Sequence, residues 1–444
     1  MATSSAPVRE VLPPLFVRPE DDSFGQSLWS ATAVPAGDYP ALEGGKRAQV
    51  AIVGAGYAGL SAAIALADRG IAAVVLDAVE PGYGASGRNG GQVIPVSKYE
   101  PDEMLARYGE QVGGDILSMV DATPEAVFSL VERFGIACEP NRSGWIQAAH
   151  AESAVPALRR RCEQFRARGC DVRWLDREPL AASLGTGHYA AGWMHRGAGS
   201  VQPLSYARGL ARAAQSLGVQ IHGSTLVRKL ERQGGAWRLE SARGEVIADR
   251  VVLATNAYTT GLWPGLPQSI VPLYSMQVAT DPLPGTPEAG VLPAHCCVSD
   301  TRRVVRYFRK DAAGRLVIGT RGPFTPRPDA AHARALIRSA RAMFPELAGV
   351  AFPYLWSGRV AMTTDSLPHL HNPAEGLWIA LGCNGRGVGM ATMLGKVLAA
   401  ACAGAPDGAP RYPVTGIRRI PFHAFHRLGV HAMVTYYRLL DQLA

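Results

Sequence analysis

A chain of 444 residues, 47% hydrophobic and 18% charged, is long enough for two or three domains around a substantial core, and its composition is neither disordered nor fibrous. The formal net charge of +8 is modest for the length and argues against a nucleic-acid partner, so the densest basic group, Arg159-Arg160-Arg161, reads as a solvated helix face. Seven cysteines without regular spacing exclude a disulfide framework and fit a reducing, cytoplasmic setting; no run approaches the ~18 apolar residues of a membrane span, and no secretory signal is expected.

Residues 1–45, rich in Pro, Ser, Ala and Gly, read as an extended arm packed on the body through Leu28-Trp29 and Tyr39. The next stretch organises the chain. Val50 to Val53 is an apolar strand, Gly54-Ala55-Gly56-Tyr57-Ala58-Gly59 a glycine turn, Leu60 to Arg69 an alanine-rich helix stopped by Gly70, and Ala72 to Leu76 a second strand that ends on Asp77. This is a βαβ unit of the usual length, about 30 residues. Gly54 permits the tight turn, Gly56 lets a pyrophosphate approach the backbone, and Gly59 lets the helix pack on the sheet. The helix N-terminus attracts the phosphates. An acid at Asp77, followed by Ala78, suits free ribose hydroxyls, as in FAD or NAD rather than NADP.

Gly82 to Gln92 carries five glycines and reads as an irregular loop lying flat on a cofactor, with Ser86 and Arg88 placed to face a pyrophosphate. Residues 101–195 read as helices with interspersed strands. One helix opens at Thr123-Pro124-Glu125, another spans 152–169, and Trp145 lies in a strand. Leu204 to Gly218 is an amphipathic helix. Strands are expected at Thr225–Leu230, Trp237–Glu240 and Val246–Ala248, then at Asp249 to Ala254, which returns to the first sheet. Residues 270–350 read as an antiparallel region with strands at 271–280, 304–309 and 315–319 and a helix from Ala330 closed by Pro345. The strand Gly376–Leu381 leads into a third glycine turn, Gly382-Cys383-Asn384-Gly385-Arg386-Gly387-Val388-Gly389, and a helix from Met390. Phe422 to Leu443 is a last amphipathic helix, expected to bury its apolar face on the body rather than on a membrane because its polar face is mixed in charge.

One fingerprint alone does not separate FAD from NAD. A third glycine turn some 300 residues downstream suits a long FAD, with a helix start beside the flavin N1–C2=O edge. There is no second strand–GxGxxG–helix unit for NADPH, no CxxC and no metal-ligand cluster; His369 and His371 lack partners and read as ordinary polar positions. Electrons then come directly from an organic substrate.

Four blocks occur in order: the 54–59 turn, Gly84-Ala85-Ser86-Gly87-Arg88-Asn89-Gly90-Gly91-Gln92, Trp356-Ser357-Gly358, and 382–387. Together they resemble the D-amino acid oxidase/glycine oxidase superfamily of FAD amine oxidoreductases, and within it most closely the bacterial γ-glutamylputrescine oxidases. The similarity runs from about Trp29 to the Tyr436-Tyr437-Arg438 tail. It implies an α/β fold: a Rossmann-like FAD-binding domain of GR2 type and a discontinuous mixed-sheet substrate-binding domain. The expected division is an arm at 1–45, the FAD domain at 46–105, 196–265 and 352–410, the substrate domain at 106–195 and 266–351, and a C-terminal helix at 411–444.

By position, the resemblance assigns cofactor contacts to Gly54, Gly56, Tyr57, Ala58, Gly59, Asp77 and Ala78, and to Ser86, Gly87, Arg88, Asn89, Gly90, Gly91 and Gln92. It adds Val227 through its backbone, Ala254, and Gly358, Gly385, Arg386, Gly387, Val388 and Gly389 along the isoalloxazine. Two departures stand out. Arg386 and Gln202 occupy positions where the family often has His. No Cys stands near Gly358–Ala361, so the FAD is expected to be non-covalent. The implied reaction is oxidation of an amine or amino acid: hydride passes from the carbon next to nitrogen to flavin N5, the imine is hydrolysed, and oxygen becomes hydrogen peroxide. Positioning and exclusion of water supply most of the rate, so no triad is expected. Candidate substrate contacts are Arg386, Tyr307, Trp356 and Tyr274, with Arg309 and Arg321 behind them. The alternatives are a dehydrogenase feeding a quinone and a protein whose FAD is structural.

Overall fold

The computed structural model describes residues 27–285, 290–322, 330–404 and 411–443. The first 26 positions of the expected arm, and part of the proline-marked linker after residue 404, lie outside them.

The apolar run at 50–53 is the buried end of a longer strand, Gly44–Val53, whose first half is largely exposed. It lies at the centre of an eight-stranded sheet. Leu377–Leu381, Gly244–Leu253, Gly44–Val53, Ala73–Leu76 and Gln220–His222 run parallel in that order. His369–Ala374 closes one edge antiparallel, and Lys229–Gln233 and Ala236–Glu240 form a flap on Gly244–Leu253. Parallel strands need cover on both faces. Helices Tyr57–Ala67, Pro203–Ser216 and Gly387–Cys402 supply one layer, and the flap supplies the other through Trp237 and Leu239, which pack with Val246 of strand Gly244–Leu253.

The second eight-stranded sheet runs Tyr354–Met362, Val271–Ala279, Leu316–Arg321, Tyr307–Lys310, Cys297–Asp300, Trp145–Ala148, Gly192–His195 and Val172–Leu175. All neighbours are antiparallel except Trp145–Ala148 with Cys297–Asp300. The sheet is therefore mixed, as expected, and packs on helix Ala330–Met343 through Leu336, Ala340, Phe308 and Ile318.

Several expectations need correction. The strand Tyr354–Met362 was placed with the first unit, yet its ladder runs to Val271–Ala279 in the second sheet. Helix Thr123–Arg133, and helix Pro101–Asp121 from residue 106 on, were placed with the second unit. Their apolar faces, Ile116, Leu117, Val120, Val127 and Leu130, join the first core instead. Residues 225–228 form no strand, because Thr225 N–H bonds Asp77 O and draws the segment across the strand ends. The strands expected at 246–248 and 249–254 are one strand, Gly244–Leu253. Arg161 is not a solvated face residue: it is half-buried and donates to Ser97 O at 2.7 Å.

The arm docks where the two sheets meet. Helix Leu28–Thr32 is capped by Ser27, whose hydroxyl accepts the Ser30 N–H at 3.0 Å. Leu28 and Trp29 are fully buried against Leu204, Val317 and Trp356. Gln202 caps helix Pro203–Ser216 by accepting the Ser205 N–H, and donates to Trp29 O at 2.9 Å. It is thus a brace for the arm, not a wall of a cavity. No described helix is long and apolar enough to cross a membrane.

Candidate functional site

The fingerprint turn is built from backbone. Gly54 has φ +108°, and its N–H bonds Leu76 O at 2.8 Å; a Cβ there would lie 2.8 Å from Ala254 O. A Cβ on Gly59 would overlap the Gly54 carbonyl oxygen, so only glycine lets the helix sit this close to the strand. Gly56 offers the helix no side-chain cap, and the first helical N–H, that of Tyr57, donates to Ser86 Oγ at 3.0 Å, so an anion at this helix start meets the Ser86 hydroxyl as well as backbone. Asp77 ends the second strand. Its carboxylate accepts the Ala55 N–H at 2.8 Å and the Val79 N–H at 2.9 Å, and burial raises its pKa in spite of these donors.

These groups line an elongated cavity of about 1010 Å³, its solvent-open mouth included. Of the expected residues, Gly54, Gly56, Tyr57, Ala58, Asp77, Ala78, Ser86, Val227 and Ala254 stand on its wall. A floor of glycine backbone, a buried carboxylate and a helix start topped by the Ser86 hydroxyl in one cavity fit a dinucleotide such as FAD. Asn256 also lines it. Its φ is +43°, its amide donates to Cys383 Sγ at 3.3 Å, and its carbonyl accepts the Gly382 N–H at 2.9 Å. Asn256 thus ties the end of strand Gly244–Leu253 to the third glycine turn. The sequence signal was available, since ligands gather beyond the carboxyl ends of parallel strands.

The rest of the 85–92 loop lies behind the wall, clamped between the sheets. Asn89 donates to Ala85 O and Ser86 O and accepts the Gly91 N–H. Arg88 donates to Tyr83 O at 3.0 Å, and its own carbonyl accepts from Gln277 at 2.7 Å and from the Trp356 indole at 3.1 Å. Gln92 donates to Val298 O and Phe308 O. Arg309 donates to Gly90 O and Val201 O while its guanidinium lies over Trp29. Gly87 is pressed on Gly82, Gly90 on the Tyr307 ring, Gly91 on Val201 and Gly358 on Arg88. The loop is regular enough for a 3-10 turn, Ala85–Gly87, which the glycine count had argued against.

The candidate substrate contacts therefore divide. Trp356 is buried, its N–H is occupied, and it meets Trp29 edge-on at 5.6 Å; it holds the loop rather than facing open space. Tyr307 bonds Ser275 Oγ at 2.5 Å, and burial pushes its hydroxyl up to about 12. Tyr274 accepts from Arg359 at 2.8 Å. Arg309 is a structural clamp.

Arg386 is different. It lines a second, smaller cavity, about 320 Å³ with its solvent-open mouth included, that shares Cys383 with the first, together with Lys98, Asn384, Met390 and Tyr412. It makes no side-chain hydrogen bond or ion pair among the described residues. Burial, then the charge of Arg161, lowers its pKa to about 10. Burial and the charges of Arg386, Arg161 and Arg321 lower Lys98 likewise. Gly387, Val388 and Gly389 form the first turn of helix Gly387–Cys402 beside this cavity; Gly389 packs on Thr123, and Gly385 is exposed at φ +84°. Gly59, Gly87–Gln92, Gly358 and Gly385–Gly389 are thus the expected cofactor residues that do not stand on the larger cavity's wall. His369 bonds Asp365 and His371 bonds Thr415 O, and no metal-holding cluster occurs among the described residues.

A sequence profile described as FAD dependent oxidoreductase (DAO) matches residues 49–401. A probable oxidoreductase, OrdL, of Rhizobium meliloti (strain 1021) is 34% identical over 382 residues, 85% of this chain and 88% of that protein. Gamma-glutamylputrescine oxidoreductase of Escherichia coli (strain K12) is 27% identical over 427 residues, 94% and 98% of the two chains. The crystal structure of glycine oxidase from Geobacillus kaustophilus superposes with a TM-score of 0.72 at 25% identity, covering 84% of this chain and all of that one.

Proposed function

We propose that this chain, which belongs to the FAD-dependent oxidoreductase family, oxidises a small amine or amino acid at the carbon bearing nitrogen, using non-covalent FAD and oxygen. The observation that carries the reading is the meeting of the first and third glycine corners: Gly54, Gly56, Ser86 and Cys383 line one cavity, and Cys383 opens onto a second with a partnerless arginine. The relatives' names point the same way, to glycine and to a γ-glutamylated diamine.

When bound, FAD supplies a ring that takes a hydride from the substrate and hands both electrons to an acceptor. The chain's own groups do the rest. The backbone at Gly54 and Gly56 admits a pyrophosphate, and Asp77 offers its remaining lone pairs to ribose hydroxyls. The start of helix Gly387–Cys402 favours negative charge beside it. Arg386, half-buried, and Lys98, exposed, suit a substrate carboxylate held by charge-assisted hydrogen bonds. A γ-glutamylated diamine joins a carboxylate to an amine and meets that demand. Met390, Ile116 and Val120 make the same cavity apolar, which keeps water from the reacting carbon. The imine left by loss of hydride is then hydrolysed to an aldehyde or keto acid.

The test is peroxide release in air from a panel of amines and of D- and L-amino acids, repeated with a quinone as acceptor. Peroxide formed in step with substrate supports the oxidase. Turnover with quinone alone makes the protein a dehydrogenase, and no turnover with either leaves FAD a structural part.

A further inference from the structure

The C-terminal helix His426–Leu443 meets the body on one side only. Val430 and Val434 pack on Leu273 beside Val271, Val304 and Met362, and Asp441 accepts the backbone N–H groups of Arg303 and Val304 at 3.0 Å each. The helix was expected to bury its apolar face; it buries a narrow strip and leaves a second apolar stripe open. Phe425 ends the 3-10 turn His423–Phe425 just ahead of the helix, and at 3.6 residues per turn Leu428, Tyr436 and Leu439 fall within about 80° of arc, opposite Val430 and Val434. Phe425, Leu428, Tyr436 and Leu439 are 62%, 70%, 57% and 52% exposed, and Phe422, just ahead of the helix, is 84% exposed. A contiguous apolar face of this kind marks an interaction surface.

Charge selects the occupant. Between residues 408 and 440 the sequence holds Arg411, Arg418, Arg419, Arg427 and Arg438 and no Asp or Glu. The polar face is not mixed in charge, as first read; the acid that gave that impression, Asp441, is turned inward on the 303–304 backbone. Arg418, Arg419 and Arg427 are exposed. A second copy of the chain on a two-fold axis would bring two segments rich in arginine together with no acid between residues 408 and 440 of either to pair them. Anionic lipid headgroups supply the missing charge, and the acyl boundary accepts Phe422, Phe425 and Leu428. We propose that this face docks the enzyme on an anionic bilayer surface, lying on the membrane rather than crossing it. The proposal does not depend on the flavin chemistry.

Co-sedimentation of the full-length holoenzyme with phosphatidylcholine vesicles, with and without phosphatidylglycerol, tests it. The protein pellets with the anionic vesicles only, and added salt releases it. Arg418→Gln with Arg419→Gln lowers partitioning about 25-fold, at roughly fivefold for each arginine near the surface. Phe422→Ser with Leu428→Ser abolishes pelleting and leaves flavin content and turnover unchanged. Three results overturn the proposal: no pelleting with phosphatidylglycerol, equal pelleting with both vesicles and all variants, or a stable dimer by light scattering that Phe425→Ser with Leu428→Ser splits.

Discussion

At the scale of single residues, glycine and aspartate carry the cofactor end. Gly59→Ala puts a methyl group into the Gly54 carbonyl, so the helix must leave the sheet. The cost is at least about 1–3 kcal/mol, to be seen as a lower melting temperature and protein that purifies with little or no yellow colour. Asp77→Asn offers an NH2 group to one of two N–H donors and loses a ribose acceptor; FAD affinity falls about tenfold or more. Its apoprotein also carries a pH signature. Because burial raises the folded pKa of Asp77, the group's contribution to stability is complete below its unfolded pKa and is lost as pH rises through the folded value. Melting temperatures of wild-type and Asp77→Asn apoprotein, compared across that acid window, should converge as pH rises. Arg386→Gln should raise KM for a carboxylate-bearing amine by about 10- to 100-fold, the worth of a hydrogen bond to a charged group, and change KM little for an uncharged amine. An equal rise for both would remove Arg386 from substrate binding. The places of Gly54, Gly59 and Asp77 in the strand–turn–helix were legible because they follow from local spacing. Those of Trp356, Arg309 and Gln202 were not, since their partners, Arg88, Gly90 and Trp29, lie far away in sequence.

Among elements, the 85–92 loop depends most on the rest of the fold. Its residue types led to the expectation of a loop lying flat on a cofactor, and the structure packs it on protein: Gln277 and Trp356 from adjacent strands converge on Arg88 O, while Trp29 of the arm donates to Asn89 O. Trp356→Phe removes one of the two donors to Arg88 O and keeps the ring. It should cost about 1 kcal/mol of stability and slow flavin reduction less than tenfold, whereas a substrate-contacting role would cost more. Strand existence was readable from apolar runs, but strand partnership was not. Tyr354–Met362 sits close in sequence to Leu377–Leu381 yet belongs to the other sheet. Periodicity fixes the face a residue presents and leaves the neighbour open. The C-terminal helix is a parallel case. Its amphipathic pattern was plain, but two apolar stripes with only one of them covered cannot be told apart by periodicity.

Across the whole molecule, two sheets meet along a seam that the arm, the 85–92 loop and the third glycine turn all touch. Corners separated by hundreds of residues reach one elongated cavity through Asn256, which joins the strand returning at Leu253 to Gly382. The fold class was readable from βαβ order and from the late return of a parallel strand; the seam was not, because it is made of tertiary hydrogen bonds. Anaerobic titration of the purified holoprotein with amines and amino acids probes this arrangement most directly. The account predicts a yellow protein whose visible flavin absorbance is bleached by a small amine, most readily by one carrying a carboxylate, and restored by air. A colourless protein, or a flavin that no such compound bleaches, would contradict it.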